Sequence, residues 1–181
     1  MFAYLRNSTL LASFVMFTFL GSSSSTRFKL TFDEYEVNTI CSETIDSKFC
    51  VKILSSTPLT EQSDIPGLGK FLVDYIQHNI SDAINQIQSI VQNITDVHSK
   101  KLYTECVEYL KWSSTYCENS LKALAVKEKS HFIDSLVDAN HAGDDCRSNL
   151  KGPEYVPELM QKIDAFLNVC DIAVAVANRL P

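Results

Sequence analysis

Residues 68–94 read LGKFLVDYIQHNISDAINQIQSIVQNI. Within this stretch Leu68, Leu72, Tyr75, Ile76, Ile80, Ala83, Ile87, Ile90, Val91 and Ile94 recur at spacings of three and four. A 3.6-residue repeat places such positions on one stripe, so the stretch predicts an amphipathic helix of about seven turns. Pro58 and then Pro66-Gly67 break the chain ahead of it.

Three further stripes follow. Leu102, Cys106, Tyr109, Ser113, Cys117, Leu121 and Leu124 form the second, and Phe132, Leu136, Ala139, Ala142 and Cys146 a shorter third. Gly152-Pro153 interrupts the chain before Val156, Leu159, Ile163, Phe166, Cys170, Ala173, Ala177 and Leu180. Four amphipathic segments with short links, and no alternating pattern of comparable length, predict an all-α protein built as an antiparallel four-helix bundle. Two short apolar-periodic pieces in residues 33–56, around Cys41 and Cys50, predict a helical hairpin in front of it.

Composition agrees with that class. The chain has 181 residues, 45% hydrophobic and 21% charged, which fits one domain with a buried core. Five glycines and five prolines are too few for a collagen-like or Pro/Gly-rich disordered chain. A net charge of −6 argues against a nucleic-acid partner, which calls for a basic face. It would instead steer the protein toward a basic partner at neutral pH, with steering fading toward the sequence pI of about 5.2.

Residues 1–25 are expected to lie outside the domain, which then spans 26–181. Arg6 precedes the apolar run Leu10–Leu20, and Gly21 with Ser22–Ser25 supplies small residues for cleavage within 21–26. The run falls short of the roughly 20 apolar residues of a membrane span. The pattern predicts a secretory signal peptide; the alternative is an uncleaved amphipathic anchor. Its removal takes the net charge from −6 to −7 and leaves a chain with no second membrane-length apolar run.

Secretion makes disulfides the natural reading of the six cysteines. Six cysteines pair in 15 ways. Cys41 and Cys50 could staple the hairpin. Cys106, near the start of the second long helix, and Cys146, near the end of the third, occupy neighbouring ends of an up-down-up-down bundle. Cys117 and Cys170 lie at one level on the second and fourth helices, either as a third bridge or as two buried thiols. Neither zinc-ligand spacing nor a cofactor motif accompanies them, so no metal or cofactor is expected. His78, His98, His131 and His141 are scattered, and no nucleophile-base set is visible, so an enzyme is not expected.

These residues carry a resemblance. Ile40-Cys41-Ser42-Glu43-Thr44, Phe49-Cys50-Val51 and Leu54-Ser55-Ser56-Thr57-Pro58 look like the start of the plant invertase and pectin methylesterase inhibitor family. Cys106 followed by Tyr109, then Cys146, resembles its next landmarks, and Asp171-Ile172-Ala173-Val174-Ala175-Val176-Ala177-Asn178 is similar to its last helix. The likeness covers about residues 36–180. It implies bridges Cys41–Cys50 and Cys106–Cys146, and a non-catalytic inhibitor secreted to the cell wall or sent to a vacuole. The implied partner is a carbohydrate-active enzyme, bound 1:1. One branch of the family caps pectin methylesterases; the other plugs invertases.

The invertase branch often carries Pro-Lys-Phe before the third bundle helix, where this chain has Ser130-His131-Phe132. The pectin methylesterase branch often has Ser-Ala-Ala-Leu-Thr leading to Thr-Cys. Here Val137-Asp138-Ala139-Asn140-His141 and Asp145-Cys146 stand in those places. Loss of a cationic lysine should harm an active-site plug more than changes on a broad helix face, so pectin methylesterase is the expected target and invertase the alternative. A secreted helical module for a small ligand or receptor is the more distant alternative.

Tyr109, Phe132, His141, Asp144 and Asp145 are the expected partner contacts, although Tyr109 also falls on the apolar stripe. Trp112, off the stripe, is expected to cover the hairpin. Asn79-Ile80-Ser81 and Asn93-Ile94-Thr95 are glycosylation sequons, with Asn79 bordering the apolar stripe and Asn93 better exposed.

Overall fold

Asp46, Asp64 and Asp96 each accept a hydrogen bond from the backbone N–H three residues on, at 2.9, 2.6 and 2.7 Å. Each satisfies an otherwise orphaned donor at a helix start. The computed structural model describes residues 34–57, 64–151 and 156–181. The expected signal peptide and the breaks at Pro58 and Gly152-Pro153 lie outside these. Six helices follow in order: α1 (Glu34–Cys41), α2 (Ser47–Ser56), α3 (Ile65–Val91), α4 (Val97–Ala125), α5 (Lys129–Asn149) and α6 (Pro157–Ala177).

The last four form the bundle. α3 packs on α4 and α6, and α5 packs on α4 and α6; in the diagonal pairs no Cα atoms come within 8 Å of each other. α1 and α2 pack on each other and against α6. α6 therefore has neighbours on three sides, which explains why twelve of its residues are buried, from Leu159 to Ala177. Cys41–Cys50 staples the α1–α2 hairpin, and Cys106–Cys146 ties α4 to α5 with Cα atoms 4.2 Å apart.

Burial on α3 and α5 follows the stripes expected of them; α5 buries Phe132, Leu136, Ala139, Ala142 and Cys146. On α4 the core line is Tyr103, Cys106, Val107, Leu110, Ser113 and Cys117. Tyr109 and Leu102 are half-buried at its flank. Two devices bring α5 close to its neighbours. Ser113 Oγ donates to the Ala139 carbonyl at 2.8 Å across α4 and α5. Gly143 leaves room on α5 for the ring of Phe166.

The α4–α5 link is a left-handed helix stop. Lys127 has φ of 63°, Glu128 N–H donates to the Ala123 carbonyl at 2.9 Å, and Lys127 N–H donates to that of Leu124 at 3.1 Å. Those two bonds define a Schellman motif.

Candidate functional site: the outer faces of α4, α5 and α6

Of the expected contact residues, Phe132 does not reach the surface. Phe132 is fully buried beneath Gly69 and Leu124 and is a core residue, a correction to its expected role in partner contact. Its apolar ring sits on the inward stripe of α5, where burial outweighs its place near the helix start. His141, Asp144 and Asp145 are exposed on α5. Asp144 accepts from Arg147 at 3.1 Å, and Arg147 reaches across to Asp164 of α6 at 2.9 Å.

On α4, Tyr109 meets Trp112 edge-on, with ring centroids 5.4 Å apart. Trp112 is 55% exposed. It does not cover the hairpin, which rests on α6, diagonally across the bundle from α4. The off-stripe position that set Trp112 apart in the sequence turns it to solvent.

Between α5 and α6, beneath the α1–α2 turn, lies a cleft of about 260 Å³. Glu43 and Ile45 line it from the turn, Val137, Asn140 and His141 from α5, and Asp171 and Val174 from α6. Asn140 spans its floor, donating to the Leu167 carbonyl at 3.0 Å and to Asp171 Oδ1 at 3.3 Å. Burial pushes the Asp171 carboxyl pKa up. Arg179 grips Glu43 through both guanidinium NH2 groups, at 2.7 and 2.8 Å, holding the turn against the end of α6. That bond keeps the Glu43 carboxyl below its usual range.

Sequence reasoning singled out His141 but missed Ile45, Asn140 and Asp171 around it. A lone acid in the otherwise apolar run from Val169 to Ala177 was the available signal.

Cys117 and Cys170 are buried thiols. No residue of α4 lies within 8 Å of α6, Cα to Cα, which is beyond disulfide reach. The third bridge entertained above is thus replaced by two thiols in the core. Asn93 is exposed, whereas half-buried Asn79 donates its side-chain amide to the Tyr75 carbonyl at 2.8 Å.

Residues 36–176 match the family model described as Plant invertase/pectin methylesterase inhibitor. The chain belongs to that family. The chain is an inhibitor of that family, not itself an enzyme. Among curated relatives, Pectinesterase inhibitor 2 of Arabidopsis thaliana is 24% identical over 180 residues, spanning 99% of this chain and 100% of that protein. Pectinesterase inhibitor 1 of Arabidopsis thaliana is 26% identical over 182 residues, spanning 100% and 99%. A fructosidase inhibitor of the same plant, Cell wall / vacuolar inhibitor of fructosidase 1, is 23% identical over 130 residues, 71% of this chain and 62% of that one. The crystal structure of a mutant form of a pectin methylesterase inhibitor from Arabidopsis superposes with a TM-score of 0.74 at 25% identity, covering 81% of this chain and 97% of its own.

Proposed function

We propose that the chain is a secreted inhibitor of pectin methylesterase that binds its enzyme 1:1 after losing residues 1–25. The observation that carries this reading is the end-to-end similarity to pectinesterase inhibitors, against the shorter match to a fructosidase inhibitor. The local structure argues the same way. Phe132 is interior, and Lys129 spends its ammonium on the Asn178 and Leu180 carbonyls at 3.0 and 2.7 Å. A Lys-Phe plug for an invertase active site is not offered at this turn.

The docking face is centred on α5. Tyr109 and Trp112 flank it on α4, Asp145, His141 and Asp144 stand on α5, and the cleft toward α6 lies beside them. A bundle clasped by two disulfides presents this face already ordered, which lowers the entropy lost on binding. Interfaces of this kind draw much of their affinity from exposed aromatics. Asn93 takes a glycan on the far end of α3. Asn79, half-buried on α3, is the less accessible of the two sequons.

Titrating a purified plant pectin methylesterase and an acid invertase in parallel tests the reading. Loss of pectin demethylation at an equimolar ratio, with sucrose hydrolysis untouched, is expected. Inhibition of the invertase instead transfers the reading to the other branch. Inhibition of neither removes both.

A further inference from the structure

Asp171 is half-buried, yet among the described residues it has no ion-pair partner. Its one hydrogen-bond donor is the Asn140 amide, a neutral group. The other acid of the cleft, Glu43, is already neutralised by Arg179. The cleft thus holds one uncompensated carboxylate, in a chain whose net charge is −6. Removing a carboxylate from water without a counter-charge is costly, so such a site gains from a cation supplied from outside.

The walls narrow the identity of that cation. Val137 and Val174 line the cleft with apolar surface, and Ile45 is 87% exposed at its rim, an unusual setting for a large aliphatic side chain. The turn carrying Ile45 is held on both sides, by Cys41–Cys50 and by the Glu43–Arg179 pair. A small hydrated ion has no use for an aliphatic rim. A long side chain with a charged head and a methylene stem uses both features.

We infer that this cleft receives one arginine or lysine side chain of the bound enzyme, its charged head on Asp171 and its stem against Ile45 and Val137. The inference rests on the reading that the chain binds pectin methylesterase, and it adds the chemistry of one contact. Asn140 is the positioning residue, because its amide fixes the Asp171 carboxylate.

The test uses the whole mature protein and two probes. The first is n-butylguanidinium chloride, titrated while the side-chain amide of Asn140 is followed by NMR. A saturable shift in the wild type that vanishes in Asp171→Asn is expected; the variant keeps an acceptor for Asn140. The absence of any shift, or an equal shift in both proteins, overturns the cation site. The second probe is the esterase itself. Asp171→Asn should weaken its binding about tenfold, and Ile45→Ser, a fully surface change, about threefold. Binding by Asp171→Asn within twofold of wild type overturns the contact between this cleft and the enzyme and leaves the function standing. Uptake of butylguanidinium by a protein that binds no esterase overturns the function and supports the cleft as a cation site.

Discussion

A Cβ placed on Gly143 would stand 2.1 Å from Cζ of Phe166 and 2.6 Å from its Cε2. Leu167 Cδ2 would be 2.9 Å away. Phe166 is fully buried, so its ring would have to shift within the core to admit the added methyl group. Gly143 is therefore what lets α5 approach α6 closely enough to build the cleft floor. In an exposed helix, Gly to Ala would stabilise by about 1 kcal/mol. Here overpacking opposes it at about 1–3 kcal/mol or more. Gly143→Ala should lower stability by roughly 2 kcal/mol in urea titration. Combining it with Phe166→Leu should cost less than the two single losses added together. A more stable Gly143→Ala protein would refute the close approach.

The cysteines divide by accessibility to chemistry. Burial pushes the Cys117 thiol up to about 12 and raises that of Cys170 well above the usual thiol range. At neutral pH only about one Cys117 thiol in 10⁵ is then ionised. Iodoacetamide should leave both untouched in the native protein and label two thiols on unfolding without reductant. Opening Cys106–Cys146 by paired Ser substitutions frees a 40-residue loop and should cost about 4 kcal/mol. Native labelling of Cys117 would show that the core opens readily.

Much of this was legible in the chain, for identifiable reasons. The α5 stripe runs through Phe132, Leu136, Ala139 and Cys146 with nothing competing, so periodicity alone fixes its face. α4 misled because its core line is partly polar. Ser99, Ser113 and Ser120 are buried there, and Ser120 satisfies itself on the Cys117 carbonyl at 2.7 Å. The expected stripe meets that line at Cys106, Ser113 and Cys117 but slips by one position at Leu102, Tyr109 and Leu121, beside the buried Tyr103, Leu110 and Ser120. The cleft was not legible, since it joins Glu43 to Arg179 across 136 residues of sequence. No local pattern reports a meeting of that kind.

Lys127 offers a stabilising change. Its φ of 63° is the left-handed region, disfavoured for residues with a Cβ by roughly 1–2 kcal/mol. Glycine takes that conformation freely but loses more entropy on folding. Lys127→Gly should therefore raise stability by about 0.5–1 kcal/mol, seen as a rise of a few degrees in Tm. An unchanged or lower Tm would show that the Lys127 side chain compensates for the strain.

The Glu43–Arg179 tether should respond to acid. Its hydrogen bond lowers the Glu43 pKa, so its contribution is complete above the unfolded glutamate value of about 4.3. It is lost as pH falls through the lower folded value. His141 and Asp171 share the cleft with Glu43. Asp171 acts oppositely: burial raises its pKa, so protonation as pH falls relieves a cost to the fold. Exchange of α1 and α2 amides, corrected for intrinsic rates, should therefore accelerate between pH 6 and pH 3. Glu43→Gln should exchange fast at both. Equal protection of the wild-type hairpin at the two values would rule the tether out as its anchor.

Trp112 separates binding from stability most cleanly. Its ring is more than half exposed, and its aromatic neighbour Tyr109 is itself only half-buried. Little core contact is lost on truncation, so Trp112→Ala should change stability by no more than about 0.5 kcal/mol. If α4 borders the docking face, the same change should weaken inhibition of the esterase at least about tenfold, as expected of an aromatic hot spot. Fluorescence supplies an independent readout. As the sole tryptophan of the chain, Trp112 should emit at long wavelength and be quenched by iodide in the free protein. On enzyme binding the emission should shift to the blue, after subtraction of the Trp112→Phe complex. Inhibition undiminished by Trp112→Ala, with emission unmoved, would place the interface wholly on the α5–α6 side of the bundle.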